Sequence, residues 1–313
     1  MNKYLSIFMY LSLGSCLVGC ALDTVADELS SEQVDATEAD LSTNAVTFVT
    51  VRKDNRKCAA PSCGGYWVKD VNRSSGEQYV SGFDFGSSGF DEQLIGKVTD
   101  APADELILRG RLGKKEAKHG TRKLLVYQAF RGLPGVKPLP GDVYFQAETR
   151  DVPIQCFTAP CPNEIAHRLN TNQQYAFSGY QVALAARPHV DQDWLVDRIQ
   201  HHKAVVAALF VKGDKYPGGY EYLLDASQVY LDIADAVGPC PAYKLAACSE
   251  PDADWAYTRD VNLCLLPEVC MSTLGCPSLQ PPRCEDGYSV SAWRTNSPSC
   301  IRFACDPSFV LPN

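Results

Sequence analysis

The sequence is poor in the residues that carry most enzyme chemistry. It has five histidines and three methionines in 313 residues, and none of its fourteen cysteines forms a Cys-x-x-Cys pair. Protein zinc sites draw on that spacing or on histidines close to it. His167 is the only histidine near an early cysteine pair, so no metal is expected. Phosphate-binding glycine loops are absent. Gly86-Ser87-Ser88-Gly89 lacks the single-residue spacing of a nucleophile elbow and reads as a turn. Lysine and arginine number 29 against 37 acids, a net charge of -8 with no basic stripe, which argues against nucleic acid. No apolar run reaches the roughly 20 residues that cross a bilayer as a helix. Motif spacing assembles no nucleophile, base and orienting group, so neither an enzyme nor a bound cofactor is expected.

What is present is a stretch that occurs twice. Val46-Thr47-Phe48 leads through Arg52-Lys53-Asp54 to Cys58 and Cys63; Val143-Tyr144-Phe145 leads through Arg150-Asp151 to Cys156 and Cys161. Bonded cysteines need Cα atoms within about 4.4–6.8 Å, whereas five extended residues span roughly 17 Å. The chain must therefore reverse, with Ala-Pro in the turn. Cys58–Cys63 and Cys156–Cys161 are predicted to staple two such loops. A closed loop this short contributes only about 2 kcal/mol, so the staple shapes a loop and does not replace a core. Asp54 and Asp151 are expected to cap the loops or to meet a neighbouring Arg or Lys.

The echo continues along the chain. Phe48 and Asp54 match Phe145 and Asp151 at a spacing of 97, and Cys58, Cys63 and Asn72 match Cys156, Cys161 and Asn170 at 98. Ser81-Gly82-Phe83 matches Ser178-Gly179-Tyr180 at 97; Gly113 and Leu124-Leu125 match Gly213 and Leu223-Leu224 at 100 and 99. A period this long indicates a duplicated domain of about 95 residues rather than a solenoid. Strand composition recurs at 47–51, 66–71, 78–85, 105–112 and 122–127, and again at 204–211 and 220–224. A helix is expected over 191–202, where Trp194, Leu195, Ile199 and His202 have near-helical spacing. Neighbours on a helix point about 100° apart, so His201 and His202 cannot chelate one ion with His189, Asp191 or Asp193. A solvated helix end is expected there. The predicted fold is mainly β: two related small β-barrels or sandwiches at 46–136 and 137–236, an open oligonucleotide- or oligosaccharide-binding type of barrel being one allowed form.

Residues 237–313 differ in composition. They hold Cys240, Cys248, Cys264, Cys270, Cys276, Cys284, Cys300 and Cys305 among frequent prolines and short apolar runs. Such a module takes its stability from bridges. Cys300 and Cys305 repeat the four-residue spacing and are predicted to pair. The other six stay unassigned, because eight cysteines allow 105 connectivities.

At the amino terminus, Leu17-Val18-Gly19-Cys20 closes the apolar run 5–19 and resembles the lipobox of bacterial lipoproteins. The resemblance implies removal of residues 1–19, lipidation of Cys20 and attachment to a membrane through that lipid. Ala21, rather than Asp, follows the cysteine and implies the outer rather than the inner membrane of the cell envelope. Without Cys16 and Cys20, twelve cysteines remain, an even number for bridges. Residues 20–45 then form a tether. Between 21 and 46 there are seven acids and no Lys, Arg or aromatic residue, a composition that cannot bury enough surface to fold. Its reach is about 25–30 Å.

The run Arg52-x-Asp54, Cys58-x4-Cys63, Gly64-Gly65-Tyr66-Trp67-Val68-x-x-Val71-Asn72 is similar to an uncharacterised repeat family of secreted and lipid-anchored proteins of soil bacteria. The similarity covers roughly residues 46–235 and implies no assigned activity. The second copy has Pro162-Asn163-Glu164-Ile165 in place of Gly-Gly-Tyr-Trp, so the two copies need not share a ligand. The resulting expectation is a non-enzymatic envelope lipoprotein that binds a protein or glycan. One alternative is a protease inhibitor presenting preorganised loops such as Phe157-Thr158-Ala159-Pro160. The other is a secreted hydrolase whose site gathers residues distant in sequence.

Overall fold

In strand β1 (Thr47–Lys53), Thr47, Val49 and Val51 are buried while Phe48 and Thr50 are only partly covered. This period of two marks a strand with one closed face. The computed structural model describes residues 45–151, 161–217, 219–234, 240–296 and 300–310. After β1 the first half continues with β2 (Tyr66–Asp70), β3 (Gln78–Val80), β4 (Phe83–Asp84), helix α1 (Glu92–Thr99), β5 (Leu106–Leu112) and β6 (Leu124–Gly132). The second half has β7 (Val143–Thr149), β8 (Glu164–Arg168), β9 (Gln174–Phe177), β10 (Gly179–Gln181), helix α2 (Gln192–Gln200), β11 (Ala204–Tyr216) and β12 (Gly219–Asp232). These strands form one sheet in the order β3-β2-β1-β5-β6-β12-β11-β7-β8-β9, with β4 beside β6 and β10 beside β12. The order reads the same from both ends once the halves are equated. The molecule is mainly β, as predicted, and its sheet stays open rather than closing into a barrel.

Backbone pairing fixes which residues correspond. Val49 lies opposite Leu108 as Phe145 lies opposite Val206, and both β6 and β12 carry a bulge, at Tyr127 opposite Arg109 and Gly110 and at Ser227 opposite Ala207 and Ala208. The correspondence therefore corrects four matches made on residue type. Leu124-Leu125 is equivalent to Leu224-Asp225 rather than Leu223-Leu224. Phe48 is equivalent to Tyr144 rather than Phe145, Asp54 to Arg150 rather than Asp151, and Gly113 to Val211 rather than Gly213. The Asp54 N–H bonds Gly65 O and the Arg150 N–H bonds Asn163 O, each at the base of a loop. The offset thus grows by two residues across that loop, where residue matching placed one.

The halves join where β6 meets β12, with Arg131 opposite Leu231. Those two positions are themselves equivalent, so the register is the one a two-fold axis produces. The core follows the same plan. One cluster gathers Val49, Val68, Leu108, Val126 and Val98 of α1 within the first half. Another joins equivalent residues of both halves: Val71 with Leu169, Ile107 with Val205, and Phe130 with Tyr230. Instead of two separate barrels, the halves share a core. Asn72 and Asn170 stitch it reciprocally. The Asn72 side chain accepts from Tyr144 N at 2.9 Å and donates to the carbonyls of Tyr144 and Leu169. Asn170 does the same with Phe48 N at 2.8 Å and the carbonyls of Phe48 and Val71.

The C-terminal residues form two hairpins, β13 (Ala253–Arg259) with β14 (Leu265–Ser272), and β15 (Tyr288–Arg294) with β16 (Ile301–Pro307). They belong to the same compact unit as the large sheet. The bridges are Cys240–Cys264 and Cys248–Cys270 on the first hairpin, and Cys276–Cys300 and Cys284–Cys305 on the second. The predicted Cys300–Cys305 bond is therefore wrong. Cys300 abuts β16 and Cys305 lies within it, and five residues of extended strand hold two Cα atoms about 16 Å apart, beyond any disulfide.

Candidate functional site

Between α2 and the C-terminal hairpins lies a groove of about 1260 Å³. Its base is built from Asp191, the N-cap of α2, whose carboxylate accepts the Trp194 N–H at 3.5 Å. The same carboxylate meets Arg302 at 3.1 Å and Arg259 at 3.6 Å. The Arg259 side chain is buried and reaches Asp306 at 2.9 Å; Asp306 also accepts from the Ser291 hydroxyl. Both guanidinium groups lie over Trp293, 4.3 and 5.6 Å from its ring centre. Two buried acids are thus balanced by two arginines, and the indole face adds cation–π attraction. Backbone and side chain bonds complete the seam: Trp194 Nε1 donates to Val261 O at 3.0 Å, Lys203 Nζ to Asn262 Oδ1 at 2.9 Å, and Cys305 N to His189 O at 2.9 Å.

Tyr257, Phe303, Leu279 and Ile301 line the groove, with Asp193 and Asp197 along the helix. Leu279 and Ile301 are exposed, as is Asp193. His189 is the histidine of this lining. Among the described residues of the lining there is no serine or free thiol, and Cys300 is bonded to Cys276. Aromatic faces, apolar walls and open carboxylates are elements of recognition.

The predicted Cys58–Cys63 bridge is present, with Cα atoms 5.7 Å apart. Cys161 is disulfide-bonded; Cys156, the loop 157–160 and the lipidation candidate Cys20 lie outside the described residues. Asp54 does cap its loop and pair with an arginine, Arg56, whereas Asp151 is exposed. The histidines part company as helix geometry requires. His201 Nδ1 sits 3.1 Å from Asp197, while His202 Nε2 contacts Glu148. Glu148 also holds His167 Nε2 at 2.7 Å, and these two imidazoles, His167 foremost, keep its carboxyl below the ordinary glutamate range. Among the described residues no group of three or more ligating side chains is arranged to hold a metal, and no helix is long and apolar enough to cross a membrane.

Sequence reasoning missed Arg259, Trp293, Arg302 and Asp306. One signal pointed toward them. Cys240, Cys248 and Cys264 recur 36 residues later as Cys276, Cys284 and Cys300. That echo predicts equivalent hairpins and equivalent bridges, and it puts Tyr257 and Trp293 at the same position.

Fold and groove define a class: an open β-sheet with two equivalent halves, carrying a bridged hairpin module and a recognition groove at their seam. The chain belongs to the family described as a domain of unknown function (DUF6748), whose profile matches residues 47–236. That single span treats the two halves as one unit. An uncharacterised protein of Dictyostelium discoideum is 26% identical over 271 residues, 84% of this chain and 88% of its own length. This similarity extends beyond the family segment. No solved structure matches.

Proposed function

We propose that the protein is a non-enzymatic, lipid-anchored envelope protein whose folded part binds a protein segment or a glycan in the groove beside α2. The observation that supports this is the groove itself, lined by exposed Leu279 and Ile301 and by exposed carboxylates, with no serine or free thiol among the described residues of its lining. Trp194 and Trp293 line it, so a ligand entering it changes tryptophan emission. Soluble glycans and peptides are to be screened by that signal against the oxidised protein. The expected hit loses at least tenfold in affinity in Ile301→Glu and in Asp193→Lys. A ligand indifferent to both changes, or reproducible turnover in a hydrolase screen, removes the reading.

The anchor belongs to the same proposal. The lipobox supports lipidation of Cys20 and an outer-membrane location, and Cys20→Ala then releases the protein from membranes. The palindromic strand order and the two-fold register support descent of residues 47–236 from a duplicated half.

A second reading, protease inhibition, is supported by the Cys58–Cys63 loop. Its tip residues Ala59, Ala60 and Ser62 are exposed, while Asp54 fixes its base. Titration of serine and cysteine proteases with the folded protein decides it; no inhibition removes it.

A further inference from the structure

We propose that the hairpin joining β5 to β6 is a binding site for a ligand bearing several phosphate charges, held by Arg111, Lys114, Lys115 and Arg122.

The chain is acidic overall, at -8, yet residues 109–123 contain Arg109, Arg111, Lys114, Lys115, Lys118, Arg122 and Lys123, with Glu116 as their one acid. Glu116 is turned to its own loop: its carboxylate faces the Thr121 hydroxyl at 3.4 Å, and its backbone closes the loop through Thr121 O and Gly120 N, both at 2.8 Å. Among the described residues no carboxylate pairs with Arg111, Lys114, Lys115 or Arg122. These four surround a pocket of about 550 Å³ floored by Leu112 and Leu125.

Two of the guanidinium groups carry a second observation. Arg111 and Arg122 each have a buried Nε without a hydrogen bond. Arg131, Arg168, Arg187, Arg198 and Arg294 also have a buried Nε on that footing, but each reaches a carboxylate, amide or carbonyl oxygen. Arg111 and Arg122 reach none among the described residues. A desolvated donor left without a partner is destabilising, and more so on a charged group. An oxyanion in the pocket meets two guanidinium groups that no carboxylate already holds, in the forked geometry guanidinium offers phosphate.

The other half supplies a control. At the positions equivalent to Arg109, Arg111, Arg122 and Lys123 stand Ala207, Leu209, Tyr222 and Leu223. Its hairpin lysines Lys212 and Lys215 lie over the Tyr220 ring, at 5.2 and 5.6 Å. The same hairpin therefore folds without the two arginines, and the architecture does not require them. Four positive charges around one pocket call for an anion of comparable charge, which a lone carboxylate does not supply and a di- or oligophosphate does. No aromatic ring lines the pocket to stack a base, which disfavours nucleic acid.

The test is calorimetric titration of the full-length oxidised protein at low salt with sodium tripolyphosphate, with sulfate as control. A parallel arm uses phosphatidylcholine vesicles with and without phosphatidic acid, which separates a soluble phosphate source from a lipid one. One site per chain is expected for at least one of the two phosphate probes, weakening as salt rises. Lys114→Ser/Lys115→Ser, exposed changes that leave the core untouched, is expected to lower that affinity at least tenfold. Lys212→Ser/Lys215→Ser is expected to leave it unchanged. Absence of binding by both phosphate probes overturns the proposal. So does binding that survives the Lys114/Lys115 change, or sulfate binding as tight as tripolyphosphate.

Discussion

Asp54 shows how much one buried carboxylate settles locally. It is 4% exposed and accepts from the backbone N–H, Nε and Nη2 of Arg56 and from the Gly64 N–H. Arg56 in turn lies over Trp67 and Tyr79, 4.9 and 5.2 Å from their ring centres. One charge thus ties the strand end, the bridged loop and the aromatic face of β2–β3 together. The Arg56 hydrogen bonds, foremost, hold the Asp54 carboxyl at about 2, below its ordinary 3.8. A folded-state value below the unfolded one means stability that is present above pH 3.8 and lost as pH falls toward 2. Asp54→Asn is therefore expected to melt below wild type at pH 5–7, with the gap narrowing through pH 3.8 to 2. Melting curves at half-unit pH steps check this; a gap independent of pH assigns the effect to shape rather than charge. Asp54 was legible in the sequence as a loop cap. Its twin was not, because Arg150 occupies the equivalent place and an aspartate one residue on imitates the match.

At the scale of elements, the paired asparagines are the clearest device. Asn72 and Asn170 both have positive φ, 56° and 59°, a conformation asparagine tolerates and glycine takes freely. Asn72→Gly keeps the backbone and deletes the three side-chain hydrogen bonds to the other half. A loss of about 2–3 kcal/mol is expected in urea denaturation with an unchanged slope, and a similar loss for Asn170→Gly. If either change is silent, the stitch is not shared. Elements were legible where their signal is local. Helix α2 announced itself by the near-helical spacing of Trp194, Leu195 and Ile199, all buried. Helix α1 did not: it spans eight residues, contains Gly96 and buries only Val98. The Cys-x4-Cys spacing was informative at Cys58 and misleading at Cys300, since identical spacing occurs across a reversal and along a strand. Only the 36-residue echo, a longer-range pattern, separates the two cases.

At the scale of the whole molecule, the pairing of β6 with β12 was illegible because its partners are about 100 residues apart and no local pattern names them. That pairing decides whether a half can fold alone. Phe130 and Tyr230 meet in a core that needs both halves, so residues 45–136 or 137–236 alone leave that face uncovered. A lone half can cover it by taking a second copy of itself in place of its partner, through the same two-fold register. The two halves then differ in one contact. In the intact chain Arg131 faces Leu231; a dimer of first halves sets Arg131 against Arg131, and a dimer of second halves sets Leu231 against Leu231. Like charges directly opposite destabilise a strand pair, while apolar pairs contribute roughly 0.2–1 kcal/mol each. The second half is therefore expected to form a dimer with strand-rich circular dichroism. The first half is expected to stay unfolded or aggregate, and Arg131→Leu is expected to shift it toward the dimer. Light scattering on the separated halves, with circular dichroism melts, measures both. A cooperative melt from a monomeric half of either kind shows that the shared core is dispensable and that the two-fold seam is a contact between independent domains.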